Sequence, residues 1–432
     1  MKIERNNDTV YQRMLFRAAI RLRHSTKHLR FFIKWIFYGL IIGILCGLAG
    51  TAFHYALSFA ASSFAAHPQL LYALPFSGLL IVFSYRALKI YNDQGTNSIL
   101  RAARAEDTSA FRVAPLIFLA TFLTHVCGGS AGREGAALQI GGSIGSFISR
   151  KLKLSKFDHQ LMVMCGMSAT FCALFATPLA AAFLSIEVAG VGTVFYAGLV
   201  PSVLASFIAM LVSRSLGVTP LITVTAEAQP ASPLILVKIL ALAALTALLG
   251  IIFCSVMHNT RSLLQKRIPD PYLRVAAGAV VVIMITIVTG CYDYNGTGMS
   301  VITDALAGHA RPEAFALKLL LTALTLGAGF KGGEIVPAFF VGSTFGCTVA
   351  AVLGMDPVLA AELGLIGLFC SVVNCPVTSI LLSVELFGSG NFLYFGLTAA
   401  VTYLLSGYYS LYSGQKFMNS KLVPYPLEKS AN

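Results

Sequence analysis

The sequence predicts an all-α protein that crosses a membrane many times and is assembled from two related halves. Three observations carry this. Of the 432 residues, 56% are hydrophobic and 11% are charged, with a mean hydropathy of +0.77, which leaves too little polar surface for a water-soluble chain of this length. Apolar stretches recur throughout, at 31–66, 70–87, 113–127, 161–176, 191–216, 234–257, 275–288, 315–326, 358–373 and 392–411. Finally, Gly128-Gly129-Ser130-Ala131-Gly132-Arg133-Glu134-Gly135 returns two hundred positions later as Gly329-Phe330-Lys331-Gly332-Gly333-Glu334. Gly129, Gly132 and Glu134 thus pair with Gly329, Gly332 and Glu334.

The elements follow in order. Residues 1–34 form a basic segment with nine Lys or Arg (Lys2, Arg5, Arg13, Arg17, Arg21, Arg23, Lys27, Arg30, Lys34) directly before the first apolar run. A positive-inside flank accounts for them and for the net charge of +13 without a nucleic-acid partner, and it places the N-terminus in the cytoplasm. The first apolar run starts only after about thirty polar and basic residues and has no short core with a small-residue cleavage site, so the first helix is expected to remain. Residues 35–260 read as the first membrane repeat and 261–415 as the second, divided near the polar connection 259–270. Residues 416–432 read as a short cytoplasmic tail.

Four apolar pieces, 135–147, 179–188, 338–352 and 377–386, follow a Gly or Pro break and read as too short or interrupted to span. Half-helices that stop inside the membrane are tolerated only where protein or a water-filled cavity satisfies the freed backbone, and they point to a transport site. Two of them match each other: Thr177-Pro178-Leu179 through Leu184-Ser185-Ile186-Glu187 corresponds to Cys375-Pro376-Val377 through Leu382-Ser383-Val384-Glu385. Glu187 and Glu385 are expected to be structural, pairing with basic groups or capping a neighbouring helix.

The chemistry is expected at the duplicated glycine-glutamate motif. The N-terminal amides of a helix starting near Ala136, Gly135 among them, are unpaired and carry the positive end of the dipole, so an anion is favoured there. Glu134 brings a carboxylate to that point: ionised it occupies the anion site, protonated it vacates it, which links anion and proton binding. In the second copy Pro337 sits just inside a helix start, where its missing N–H is harmless, and the Ile335 and Val336 amides face the same cavity. Glu334 is expected to be a second proton group, since an intramembrane carboxylate is expensive without a role. The polar loop 91–100 offers Thr96 and Asn97 as hydrogen-bond donors to an ion, with an ordinary surface loop as the rival. The tyrosines of 406–413 read either as an interfacial belt or as a phenol reaching the pore. The nine cysteines are scattered through apolar stretches without a CxxC pair or Cys/His cluster and read as core residues, so no metal is expected. Without a nucleotide loop, no cofactor is expected.

Together these residues resemble the CLC family of anion channels and proton/anion antiporters. Gly132-Arg133-Glu134-Gly135 is similar to the family motif with the gating glutamate, Gly332-Gly333-Glu334-Ile335-Val336-Pro337 to its second glycine motif, and Leu411-Tyr412-Ser413 to the helix bearing its anion-coordinating tyrosine. The resemblance covers about residues 35–415. It implies an inverted repeat with broken helices meeting at a central anion site, a homodimer with one pathway per subunit, an inner (plasma) membrane location and both termini in the cytoplasm. Glu134 would be the gating group, Tyr412 the central tyrosine, and Ile335 and Val336 backbone donors. Departures are Ala136 where a proline is usual, Thr96 and Asn97 in place of the loop serine, and Val188 where chloride exchangers keep an inner proton glutamate. A glutamate at 334 instead resembles the fluoride/proton antiporter branch, as does the loop at Gly95.

The expected function is exchange of a small monovalent anion, fluoride or else chloride, for protons across the bilayer. A passive anion channel keeps every motif and loses only the coupling. An enzyme is disfavoured because no nucleophile–base pairing is visible, and a scaffold leaves the duplicated motif unexplained.

Overall fold

The computed structural model describes residues 4–91, 93–104, 106, 111–219, 225–230, 232–423 and 426–431. Asn92 and the side chains of Lys2, Arg5, Arg13, Arg17, Arg21 and Arg23 lie outside the described residues.

The fold is all-α and polytopic. Among the described residues, the first eight helices are α1 (Glu4–Ala66), α2 (Leu74–Ala87), α3 (Thr96–Ala103), α4 (Val113–Val126), α5 (Glu134–Lys151), α6 (Lys156–Phe175), α7 (Pro178–Glu187) and α8 (Leu199–Ser215). The next eight are α9 (Pro233–Arg267), α10 (Pro271–Thr289), α11 (Met299–Leu306), α12 (Ala314–Ala328), α13 (Ile335–Leu353), α14 (Pro357–Val373), α15 (Pro376–Phe387) and α16 (Phe392–Leu405). The order repeats: α5 and α13 each follow a glycine-glutamate motif, and α7 and α15 each open on a proline. Six helices among the described residues are long and apolar enough to cross a membrane.

Local chemistry sets the breaks. Ser155 caps α6 by accepting from the Asp158 amide at 3.1 Å, and Asp356 caps α14 by accepting from the Val358 and Leu359 amides at 3.3 Å. Both helices end on a left-handed residue, Ala176 at φ 57° and Asn374 at φ 58°, and a proline follows two residues later in each case. Such a stop redirects the chain into α7 and α15. Small residues let backbones touch: a Cβ on Gly141 would lie 2.0 Å from the Gly166 carbonyl oxygen, and one on Gly342 would lie 2.4 Å from that of Gly364. This contact holds α5 against α6 and α13 against α14, as small residues do between membrane helices.

The structure alters four of the expectations from sequence. Helix α9 runs unbroken through the 260/261 division, because 258–267 contains neither Gly nor Pro and its polar residues only mark the surface of the helix. The expected half-helices 135–147 and 338–352 are longer than their apolar runs, reaching 18 and 19 residues as α5 and α13, because α5 continues through the polar residues up to Lys151 and α13 already starts at Ile335, where Pro337 in the first turn costs no hydrogen bond; α13 is a candidate span in its own right. Tyr412 lies in an irregular turn after α16, not in a helix. The tail is not merely polar coil: β2 (Lys416–Asn419) pairs in parallel with β1 (Gly190–Val191) and antiparallel with β3 (Pro426–Ser430).

Candidate functional site

The two glycine motifs meet at the centre. The Gly132 amide donates to the Gly333 carbonyl at 2.7 Å and the Gly333 amide returns a bond to the Gly132 carbonyl at 2.7 Å, so the segments leading into α5 and α13 are zipped antiparallel. Both positions need glycine: a Cβ would lie 2.5 Å (at 132) or 2.7 Å (at 333) from the Glu134 Oε2 atom.

Glu134 is fully buried. Its Oε2 accepts from the Val336 amide at 3.0 Å and from the Arg133 amide at 3.1 Å. One carboxylate oxygen thus sits where the first turn of α13 and the start of α5 present unpaired N–H groups, while Oε1 has no protein partner. A carboxylate held by amides of two helix starts is a bound anion, and a free anion of similar size meets the same donors once the side chain leaves. Arg133 is also buried; its Nη1 lies 3.5 Å from His54 Nδ1, its guanidinium stacks 5.2 Å from the Phe175 ring, and Nε and Nη2 have no protein partner.

The other residues expected at the site are placed as follows. Gly135 backs onto Gly333, and its carbonyl accepts from Gln139 Nε2 at 3.1 Å and from Thr96 Oγ1 at 3.5 Å. Asn97 is committed elsewhere: its Oδ1 accepts from the Gly414 amide at 2.8 Å and its Nδ2 donates to Ser413 Oγ at 3.2 Å, which ties the start of α3 to the turn carrying Tyr412. Tyr412 is buried with a hydroxyl that has no protein partner, and it feels the charge of both Glu334 and Glu134. Ile335 and Val336 open α13, fully buried. Glu334 sits at the cap position of α13 but is half-buried, and among the described residues its carboxylate accepts no hydrogen bond.

Glu187 and Glu385 do act on neighbouring helices, and reciprocally. Glu187, the last residue of α7, accepts from the amides of Val377 (3.2 Å) and Thr378 (2.9 Å) at the start of α15 and from Thr378 Oγ1 at 2.7 Å. Glu385, near the end of α15, accepts from the Leu179 (2.8 Å) and Ala180 (2.9 Å) amides of α7. Each half caps the other. At Val188, the backbone carbonyl accepts from Gln415 Nε2 at 2.9 Å, so this position anchors the tail.

Sequence reading missed several charged groups. Lys318, fully buried in α12, donates to the carbonyls of Tyr294 (2.9 Å) and Gly296 (2.7 Å), and Gly296 in turn accepts from the Ala131 amide; this cation steadies the approach to Glu134 and feels its charge. A lone lysine inside the apolar run 315–326 was the available signal. Lys331 pairs with Asp93 at 2.6 Å, joining the loop 91–100 to the second motif. Arg261, on α9, lies in electrostatic reach of both Asp93 and Glu334.

The family model described as voltage gated chloride channel matches residues 77–407. A chloride/fluoride channel protein of Pseudomonas syringae pv. tomato is 28% identical over 400 residues, covering 91% of this chain and 88% of its own. An H(+)/Cl(-) exchange transporter ClcA of Vibrio vulnificus is 24% identical over 389 residues, covering 82% of each. Among solved structures, a CLC-type fluoride/proton antiporter matches with a TM-score of 0.86 and 29% identity over 89% of this chain and 98% of that one. A slow cyanobacterial Cl-/H+ antiporter shares the fold at a TM-score of 0.73 and 20% identity, over 86% of this chain and 94% of that one. The chain therefore belongs to the CLC family of voltage-gated chloride channels and transporters, and within it resembles the fluoride/proton antiporter branch.

Proposed function

We propose that this membrane protein exchanges a small monovalent anion, fluoride by preference, for protons. The observation that carries the reading is the seat of Glu134: one carboxylate oxygen on the amides of Val336 and Arg133, in a cradle too tight for any side chain at 132 or 333. Ionised, the side chain holds the site. Protonated, its hold on the amides weakens and an anion takes its place, so each exchange of anion for carboxylate is tied to a proton.

Glu334 takes the second protonatable role, half-buried and without a hydrogen-bond partner among the described residues. Fluoride is favoured over chloride by Glu334 together with Val188, and by the likeness to a chloride/fluoride channel protein and to a fluoride/proton antiporter. Gly135, Ile335 and Val336 supply backbone around the anion. Thr96 and Tyr412 supply hydroxyls, and Asn97 acts by holding the Tyr412 turn. We further propose a homodimer in the inner membrane with both termini cytoplasmic, and a junction between the halves ahead of α9.

The test is efflux from proteoliposomes under matched gradients, followed with fluoride- and chloride-selective electrodes. Fluoride is expected to leave at least about tenfold faster, on the order of 1.4 kcal/mol in effective barrier. Equal rates, or faster chloride, assign the chain to chloride exchange.

A further inference from the structure

One wall of the site remains without a role: the face of α9 that looks towards Glu334. Cys254, His258 and Arg261 are spaced i, i+4 and i+7 and share that face. Glu334 is in electrostatic reach of Cys254 and of Arg261, the residues on either side of His258. His258 is half-buried, while Asn259 and Arg261 beside it are exposed, so the imidazole lies where this face of α9 passes from buried to exposed. Its Nε2 lies 3.1 Å from the Leu411 carbonyl, the residue before Tyr412. Because a carbonyl only accepts, Nε2 carries the hydrogen and Nδ1 holds the lone pair. Nδ1 has no protein partner among the described residues.

We propose that His258 is the proton-transfer residue between water at the tail-side mouth and Glu334. Nδ1 takes a proton from a hydronium ion in the water, which is left as a water molecule, the ring becomes imidazolium, and the same atom gives the proton to a Glu334 carboxylate oxygen, which leaves the imidazole neutral again; Nε2–H stays on Leu411 throughout. Imidazole suits this step because one ring nitrogen can take and give a proton while the other keeps its hydrogen bond. The step supplies an inner proton route where Val188 offers no acid. The other ionisable groups of this wall are Cys254 and Arg261 on α9, Glu334 and Lys331 ahead of α13, Asp93 ahead of α3, Tyr412 and Lys421 after α16, Arg274 on α10, Cys370 on α14 and Cys375 ahead of α15, while α12 meets α9 beside Arg261 through Gly327. The proposal rests on the reading of Glu334 as the second proton group.

The experiment compares wild type, His258→Gln and His258→Glu in proteoliposomes loaded with fluoride, recording fluoride efflux and proton uptake together, with size-exclusion profiles of each protein. Gln keeps an N–H for Leu411 and cannot relay a proton, whereas Glu relays a proton and loses that N–H. The expected result is proton uptake at least about tenfold lower in Gln and within about threefold of wild type in Glu. His258→Asn replaces Gln if Gln does not elute as intact protein. Wild-type proton uptake in Gln, or a Glu variant as silent as Gln, overturns the relay and leaves His258 as a brace for the Tyr412 turn. Fluoride efflux without proton uptake in wild type overturns the exchange reading itself and the relay with it.

Discussion

Two pairs of glutamates occupy matching positions in the two halves, and they are used in opposite ways. Glu187 and Glu385 reciprocate: each closes one half-helix and accepts two backbone amides at the start of the other. Glu134 and Glu334 do not. Glu134 reaches across to the Val336 amide of the other half, whereas Glu334, the residue just before the same helix, accepts nothing and is partly open to solvent. A carboxylate with a fixed partner in both halves holds the halves together. In the exchange proposed above, a pair in which one carboxylate is bound and the other is unengaged has somewhere to pass a proton.

The sharpest way to break this comparison is Glu134→Gln, which removes ionisation at the bound member. Proton uptake driven by a fluoride gradient should fall at least about a hundredfold, as expected for loss of an essential proton-transfer group, while the protein elutes intact. Undiminished coupled uptake would remove Glu134 from the mechanism. Next in size is Glu334→Gln, the unengaged member. It keeps volume and hydrogen-bonding capacity, so coupled flux should drop about tenfold if the group carries protons. Flux near wild type in an intact protein would make Glu334 structural and equalise the two pairs.

How much of this was legible beforehand depends on the range of the signal. Glu134 and Glu334 announced themselves because a carboxylate flanked by glycines inside apolar sequence is rare and here occurs twice. The polytopic all-α class followed from hydropathy, whereas the two related halves followed from the duplicated motif and their inversion from the family resemblance. That Glu187 and Glu385 cap a neighbouring helix was among the expectations, but which helix each caps was not legible, since Glu187 and the Thr378 amide are 191 positions apart and no local pattern couples them. Asn97 looked like an ion donor because its loop is polar; its carboxamide is instead spent on Ser413 and Gly414, more than 300 residues away. The division at 260/261 failed for the opposite reason: polarity on one helix face resembles a loop when hydropathy is averaged, yet a helix stops only where its backbone bonding does. Arg261 falls in that same stretch, and His258 lies just ahead of it, past the end of the apolar run 234–257.

The structural pair yields smaller effects. Glu187→Ala strips three bonds from the start of α15, where Thr378 is buried, and should lower stability by about 2 kcal/mol. Glu385→Ala exposes amides at the start of α7, where Leu179 is 37% exposed and water can replace part of the loss, so about half as much is expected. Thermal unfolding in detergent measures both, and coupled flux per folded molecule should stay within about twofold of wild type. A collapse of coupling in either variant at normal stability would give this pair a transport role.

The smallest effect is at the tail. Glu106 accepts from Arg104 Nη2 at 2.9 Å and from Lys416 Nζ at 2.7 Å, which pins β2, and the Arg104 hydrogen bond, with Lys416 adding to it, holds its carboxyl down at about 2. A folded-state value below the ordinary 4.5 means the contribution is present above about pH 4.5 and is lost as pH falls towards 2. Hydrogen exchange of the tail amides should therefore be slightly faster in Glu106→Gln than in wild type at pH 7, with the two converging as pH falls to about 2. Equal exchange at pH 7 would mean that Glu106 does not hold the tail, which is then left to Gln415, Asn419, Lys421 and the strands.

The most direct measurement sets the two gradients against each other. Wild-type protein is reconstituted in liposomes loaded with fluoride, the outside is made slightly more alkaline than the inside, and fluoride and proton electrodes are read together. Exchange through Glu134 predicts that fluoride leaving its gradient drives protons inward against theirs, so the outside becomes more alkaline still, and that Glu134→Gln abolishes this uptake. Fluoride efflux with protons moving only down their own gradient would contradict the account and leave a passive anion channel.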